Sequence, residues 1–421
     1  MELLNIDYEK YKLKNGLEII LHNDDNLPLV SVNMWYRVGS SNEIKGKTGL
    51  AHLFEHMMFQ GSENVPKEKH FKYIQEAGGT LNGSTSFDRT NYYEKLPSNY
   101  LDLALWLESD RMGFLLPALT QEKLDNQVGV VSNERLERYD NQPYGLAWEI
   151  LISNLYPEGH PYSWPTIGSL NDIRNYSLED VSGFFRKYYS PANATLTVAG
   201  NFSNEEIKEK ISRYFEDIPS ENIDPFINIP EVLLNENIFL KHEENVQLER
   251  LYLAWHSCKA YSPEDSSLDI LSDLLTGSKS SRLTKKLVHE KEIAQDVTAY
   301  QFSGKYDGHF MFIATAKPGI NLSYLKEEIL KEISAIISEG FSEREITRSK
   351  SVIKSTFIFS MQNYDSLADQ LNHYNFYLGE PNSFNFDLTR YDNAANESIV
   401  SVVKKYFTKP FIELHIIPQT K

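Results

Sequence analysis

Two periodicities alternate along this chain. Residues 11–23 alternate apolar and polar positions about Asn15-Gly16, a two-residue hairpin signal, and residues 30–38 continue as a β-branched and aromatic strand. At Thr48 the period changes. Thr48-Gly-Leu-Ala-His-Leu-Phe-Glu-His-Met-Met-Phe59 is built of good helix formers up to Gly61, with Thr48 expected as the N-cap. Residues 70–77 predict a short helix closed by Gly78-Gly79. Strands are predicted at 80–88 and 90–96. The first is thin in large apolar residues, which suits an exposed sheet edge or the wall of a cleft. Helical period returns at 100–114, 121–139, 144–155, 177–189 and 203–215, with a strand at 194–199.

Around Pro219, Pro225 and Pro230 no period survives, and this is the best candidate for an interdomain linker. Beyond it the pattern repeats. Strands are expected at 248–255 and 310–316, and helices at 262–275, 280–289, 324–339 and 343–378. Leu178-Glu-Asp-Val-Ser-Gly-Phe-Phe-Arg-Lys-Tyr-Tyr-Ser-Pro191 precedes a strand in the first half. Ser398-Ile-Val-Ser-Val-Val-Lys-Lys-Tyr-Phe-Thr-Lys-Pro410 precedes the strand at 411–417 in the second. The expectation is an α+β fold of two structurally similar α/β-sandwich domains, an internal duplication. Its bounds are 1–220, a linker at 221–235, and 236–421.

Composition narrows the function. The 421 residues carry a net charge of −17, spread along the chain, so there is no basic surplus for a nucleic-acid backbone. No apolar run approaches a membrane span. The start, Met1-Glu-Leu-Leu-Asn-Ile-Asp-Tyr-Glu9, is acidic and lacks the apolar region of a signal peptide. A cytoplasmic chain is expected, or a periplasmic one if a leader has been removed. The lone Cys258 rules out an internal disulfide.

The chemistry concentrates in the helix after Thr48. His52 and His56 stand one turn apart, so both imidazoles leave one face, with Glu55 beside them. The remaining positions are apolar almost all round, which predicts burial. Two histidines and a glutamate as the only polar face of a buried helix need partners, and a metal ion suits the set. The bland alternative is a polar face that merely meets solvent. Further on, Glu134 falls i+4 from Val130 and i+3 from Val131, on or beside an inward stripe. Either it pairs with a nearby arginine or it serves this site, and Glu137, about one turn on, is its rival. The other nine histidines lack ligand spacing and read as surface or core residues.

In order, the chain carries Val38-Gly-Ser, then Gly49-Leu-Ala-His-Leu-Phe-Glu-His-Met-Met-Phe-Gln-Gly61, and Gly78-Gly-Thr-Leu-Asn-Gly-Ser-Thr-Ser86 before Thr90-Asn-Tyr-Tyr93. Val130-Val-Ser-Asn-Glu-Arg135 and Asn141-Gln-Pro-Tyr-Gly145 follow. This succession resembles the pitrilysin/insulinase family of zinc peptidases, in particular its half-length bacterial members and mitochondrial processing peptidase β-subunits. The resemblance implies zinc held by His52, His56 and Glu134, with Glu55 as general base, the inverted H-x-x-E-H arrangement. It implies a peptide substrate added as a strand along Gly79, Thr80, Leu81, Asn82, Gly83 and Ser84, with Asn82 near the scissile bond. Gln127 stands where some relatives have a second glutamate, and can hydrogen-bond a ligand but not carry a proton. Full-length members have an Arg and a Tyr seven apart in their second half, where this chain has Val288 and Gln295, with Arg282 and Tyr300 out of register. The expectation is therefore half of a clamshell chamber. It is a zinc endopeptidase subunit completed by a related, non-catalytic chain that supplies the Arg/Tyr pair, with a homodimer as the other arrangement. The rival readings are a non-catalytic scaffold subunit of the same fold and a metal-sensing protein.

Overall fold

The structure, a computed structural model, describes residues 4–220 and 229–419. It divides into two compact units, one of residues 1–135, 164–227 and 358–385, the other of 136–163, 228–357 and 386–421. One cut at 221–235 does not reproduce this division, because each unit borrows from the other half of the sequence. Residues 221–228 of the expected linker lie outside the described residues, as do Met1 to Leu3.

The first unit is a six-stranded sheet in the order β1-β2-β6-β3-β5-β4. Its strands are β1 (Glu9–Lys12), β2 (Glu18–Asn23), β3 (Leu29–Tyr36), β4 (Thr80–Thr85), β5 (Thr90–Pro97) and β6 (Ala194–Gly200). The β2–β6 pair is parallel, and the β6–β3, β3–β5 and β5–β4 pairs are antiparallel. The apolar residues of β3 and β6 are buried, as expected for central strands covered on both faces. On one face lie α1 (Leu50–Met57), α2 (Lys69–Glu76), α3 (Leu101–Phe114) and α4 (Gln121–Arg135). The opposite face is covered by the helix Tyr364–Leu378, delivered from late in the chain. Its Asn372 accepts from the Thr197 hydroxyl at 2.8 Å and donates to the Asn33 carbonyl at 3.1 Å, while Ala368 and Leu371 are fully buried. A single helix over 343–378 was expected; Glu343–Ser360 and Tyr364–Leu378 are separate, and Asn363 caps the second by accepting from Asp365 N–H.

The second unit has the order β7-β11-β8-β10-β9, with β7 (Ile238–Glu244), β8 (Arg250–His256), β9 (Ala294–Ser303), β10 (Gly308–Ala316) and β11 (Ile412–Pro418). The β7–β11 pair is parallel and the other three pairs are antiparallel. This is the pairing sequence of β2-β6-β3-β5-β4, so the duplication is visible in the hydrogen-bond ladder. Trp255, Phe310, Phe312 and Leu271 fill its core. Among the described residues no helix is long and apolar enough to cross a membrane.

Candidate metal centre

The N-cap of α1 is Gly49, at a φ of 85°, which has no side chain to cap with. Thr48 is not the N-cap; its hydroxyl donates to Asp172 at 2.6 Å. The cap comes from a distance. The buried Glu43 accepts from Gly49 N–H at 2.9 Å and from Ala51 N–H at 2.7 Å, satisfying two of the helix's orphan donors. Burial pushes the Glu43 carboxyl up to about 8, against the pull of those N–H groups. Leu50, Ala51, Leu53, Phe54 and Met57 are buried, as the sequence pattern requires, and Phe54 stacks on Phe185 at 5.5 Å.

The polar side of α1 faces α4. His56 Nε2 stands 3.3 Å from Glu134 Oε2, and His52 Nε2 stands 3.9 Å from the same oxygen. One ligand atom from each of the three residues lies within 4.8 Å of the others. Ligands at about 2.0–2.2 Å from one tetrahedral zinc ion are themselves separated by roughly 3.3–3.6 Å. The donor set and spacing therefore fit a zinc ion held by His52, His56 and Glu134. Glu134 follows Val131 by three positions on the buried stripe of α4, whereas Val130 is exposed. Glu137 lies on the π-helical turn Leu136–Asp140 and is exposed.

Glu55 is held from the strand side, its Oε2 accepting from the Thr85 hydroxyl. Burial raises its carboxyl above the ordinary range, against the Thr85 bond and the neighbouring His56. Thr85 ends β4, the edge strand, so the candidate base sits at the outer edge of the sheet. A Cβ on Gly83 would stand 3.2 Å from Glu55 Cγ, which places Gly83 on the same face. By strand alternation Asn82 and Ser84 face the other way, where Ser84 and Tyr93 line a pocket with Asp365 and Asp369. Gly79 donates to Ile74 O at 2.9 Å and joins α2 to the strand, while Thr80 and Leu81 pair with Lys95 and Glu94. Gln127 is buried two turns before Glu134, its amide donating to Asn126 at 2.9 Å.

A second set of three ligand-type residues among the described ones is His70, Glu94 and Glu108, all buried. His70 is one of the nine histidines whose spacing in the sequence carries no ligand pattern. Arg111 already supplies a cation there, bonded to Glu108 through Nε at 3.0 Å and to Glu94 at 3.4 Å, under the ring of Tyr92. In the second unit Arg282 is bound to Glu332 and Glu345, Val288 packs on the core, and Gln295 is exposed.

The family model described as "Insulinase (Peptidase family M16)" matches residues 18–163, and "Peptidase M16 inactive domain" matches residues 175–353. The chain is 30% identical over 368 residues to the zinc protease PqqE of Helicobacter pylori, covering 86% of this chain and 82% of that one. It belongs to the M16, or insulinase, family of peptidases. A solved protease structure from Helicobacter pylori superposes with a TM-score of 0.91 at 27% identity, covering 99% of this chain and 100% of that one. A probable mitochondrial-processing peptidase subunit beta of Arabidopsis thaliana is 22% identical, over 85% of this chain and 68% of its own. As an M16 chain the protein is of the metallopeptidase kind, in a family whose usual cofactor is zinc. The model named inactive covers most of the second repeat, which lacks the histidine pair.

Proposed function

We propose that the chain is a zinc-dependent endopeptidase acting on extended peptides or small unfolded polypeptides. The observation that carries this reading is the convergence of His52, His56 and Glu134, from two helices, beside Glu55 and an open strand edge. A zinc ion held by the three would polarise the scissile carbonyl and acidify an attacking water. Glu55 takes the proton of that water and returns it to the leaving amine, a task suited to a carboxyl raised by burial. β4 offers its outer backbone edge to the substrate, with the Gly83 N–H released from Asn82 Oδ1, to which it donates at 2.9 Å, so recognition is of extended conformation. Asn82 would then lie on the strand beside the scissile bond, and Gln127 would support Glu134 from the same helix.

The chain supplies the metal residues but has Val288 and Gln295 where relatives place their Arg/Tyr pair. A related second subunit carrying that pair would complete the site and stabilise the developing oxyanion. The similarity to a protein named as a peptidase subunit favours this over a homodimer. The test measures zinc content and cleavage of a quenched peptide, alone and with a co-purified partner. Stoichiometric zinc and cleavage lost on chelation are expected, with turnover rising when the partner is added. Full-rate cleavage by the purified homodimer would refute the two-subunit arrangement; a chain that binds no zinc would refute the enzyme.

A further inference from the structure

The helices bearing the ligand candidates meet again at a point none of the ligands touch. Gly168, with φ of 76°, lies against the start of α1: a Cβ on it would stand 2.4 Å from Gly49 Cα, Gly49 N and Thr48 O. The relation is reciprocal, since a Cβ on Gly49 would stand 2.4 Å from Ile167 O. Both positions need positive φ and have no room for a side chain, so backbone rests directly on backbone. On its other side the Gly168 carbonyl accepts from Arg135, the residue after Glu134 on α4, and Arg135 is 6% exposed. The surrounding loop is fastened to the same place. Ser169 N–H donates to Thr48 Oγ1 at 3.1 Å, Asp172 accepts from Thr48 N–H at 3.0 Å, and Tyr176 donates to Thr48 O at 2.9 Å.

We propose that Gly168 and Arg135 form a spacer that sets the separation of the two ligand helices, with Arg135 the positioning residue for Glu134. The inference rests on the zinc reading above and adds how that site gets its dimensions. Zinc ligands must fall within about 0.2 Å of their ideal distances. Side chains on two helices meet that tolerance without cost in binding energy when the helices are already held at the right separation before the ion arrives. Gly168 touches the first turn of α1, one turn before His52, and Arg135 adjoins Glu134, so the bridge is a few residues long. Its contacts are backbone atoms and a buried guanidinium, the least adjustable kind available.

The experiment uses the full chain with Gly168→Ala, Arg135→Gln and Arg135→Lys. Zinc affinity is measured by competition with a chromophoric chelator, well below the unfolding temperature of each metal-free variant, with circular dichroism as the check of folding. Gly168→Ala and Arg135→Gln are expected to weaken zinc binding by about 10–100-fold, and Arg135→Lys, still able to donate to the carbonyl, to recover part of it. A purely structural role would lower the unfolding temperature and leave the affinity unchanged. Affinities within about threefold of the unaltered chain in folded Arg135→Gln would overturn the spacer alone. An unaltered chain that takes up no zinc would overturn the functional reading, and the spacer with it.

Discussion

Replacing Arg111 by Met should destabilise the first unit in a way that depends on pH. Arg111 is 1% exposed and faces two buried carboxyl groups, Glu108 and Glu94. Burial pushes both carboxyls upward, and one guanidinium balances the charge of only one of the two. At an effective dielectric of about 20, a unit charge 3.4 Å away is worth roughly 5 kcal/mol, which favours the ionised form of that one. Without Arg111 that carboxylate must take up a proton on folding. Each pH unit above its unfolded value of about 4.3 then costs about 1.4 kcal/mol. The sign follows: the folded variant binds one more proton than the folded unaltered chain, so its stability relative to that chain falls as pH rises. The loss should be about 1 kcal/mol at pH 5 and about 4 kcal/mol at pH 7.5, in line with the ~3–5 kcal/mol expected on breaking a buried pair. In the unaltered chain burial and the Arg111 charge hold His70 neutral down to about 3. Urea unfolding of metal-free protein at the two pH values, compared with the unaltered chain, measures it. A loss equal at both pH values, or below about 1 kcal/mol at pH 7.5, would refute the charge-balance account.

Further outcomes follow from the site and the second unit. Glu55→Gln should retain zinc and lose about 10²–10⁴-fold in turnover, read by metal analysis beside peptide cleavage. Glu134→Ala should bind zinc at least about 10-fold more weakly, and full occupancy in that variant would remove it from the ligand set. Glu43→Gln should flatten the decline in stability between about pH 4.5 and 8, because a carboxyl whose folded value is raised to about 8 loses its contribution as pH rises through that window. The second unit should weaken on acidification below about pH 6.5, since burial lowers His309 to about 3 and His160 to about 4 and the unfolded chain then binds more protons. His309→Phe should reduce that acid sensitivity in the same unfolding titration.

The elements with strong period were legible in the sequence: β3, α1, and the strand and helix that close each repeat. β7 and β9 were not, because both are edge strands whose residues, such as Lys241, His242, Gln295 and Asp296, carry no clean apolar face. The histidine pair announces itself by spacing within one turn, whereas Glu134 was separated from Glu137 only by the family resemblance, and half of the stripe argument for it leaned on Val130, which is exposed. Glu43, Asp172 and Gly168 could not be read. Each acts on the start of α1 from outside that helix, through a contact whose partner is set by tertiary structure, and no local pattern marks it. The expected helix N-cap failed for the same reason, as Thr48 spends its hydroxyl on Asp172.

The helix Tyr364–Leu378 has a bearing on how the protein is made. The sheet that positions the histidine helix is complete in its strands at Gly200, yet one face stays bare until residue 378 leaves the ribosome. Counting from residue 220, that is 378 − 220 = 158 residues later, roughly 8–30 s at about 5–20 residues per second. Throughout that interval the nascent first unit shows the apolar atoms of β3 and β6 to whatever is nearby. A chain truncated at residue 220 would be held in that condition permanently, and should be recovered aggregated or bound to chaperones rather than as a free-standing domain.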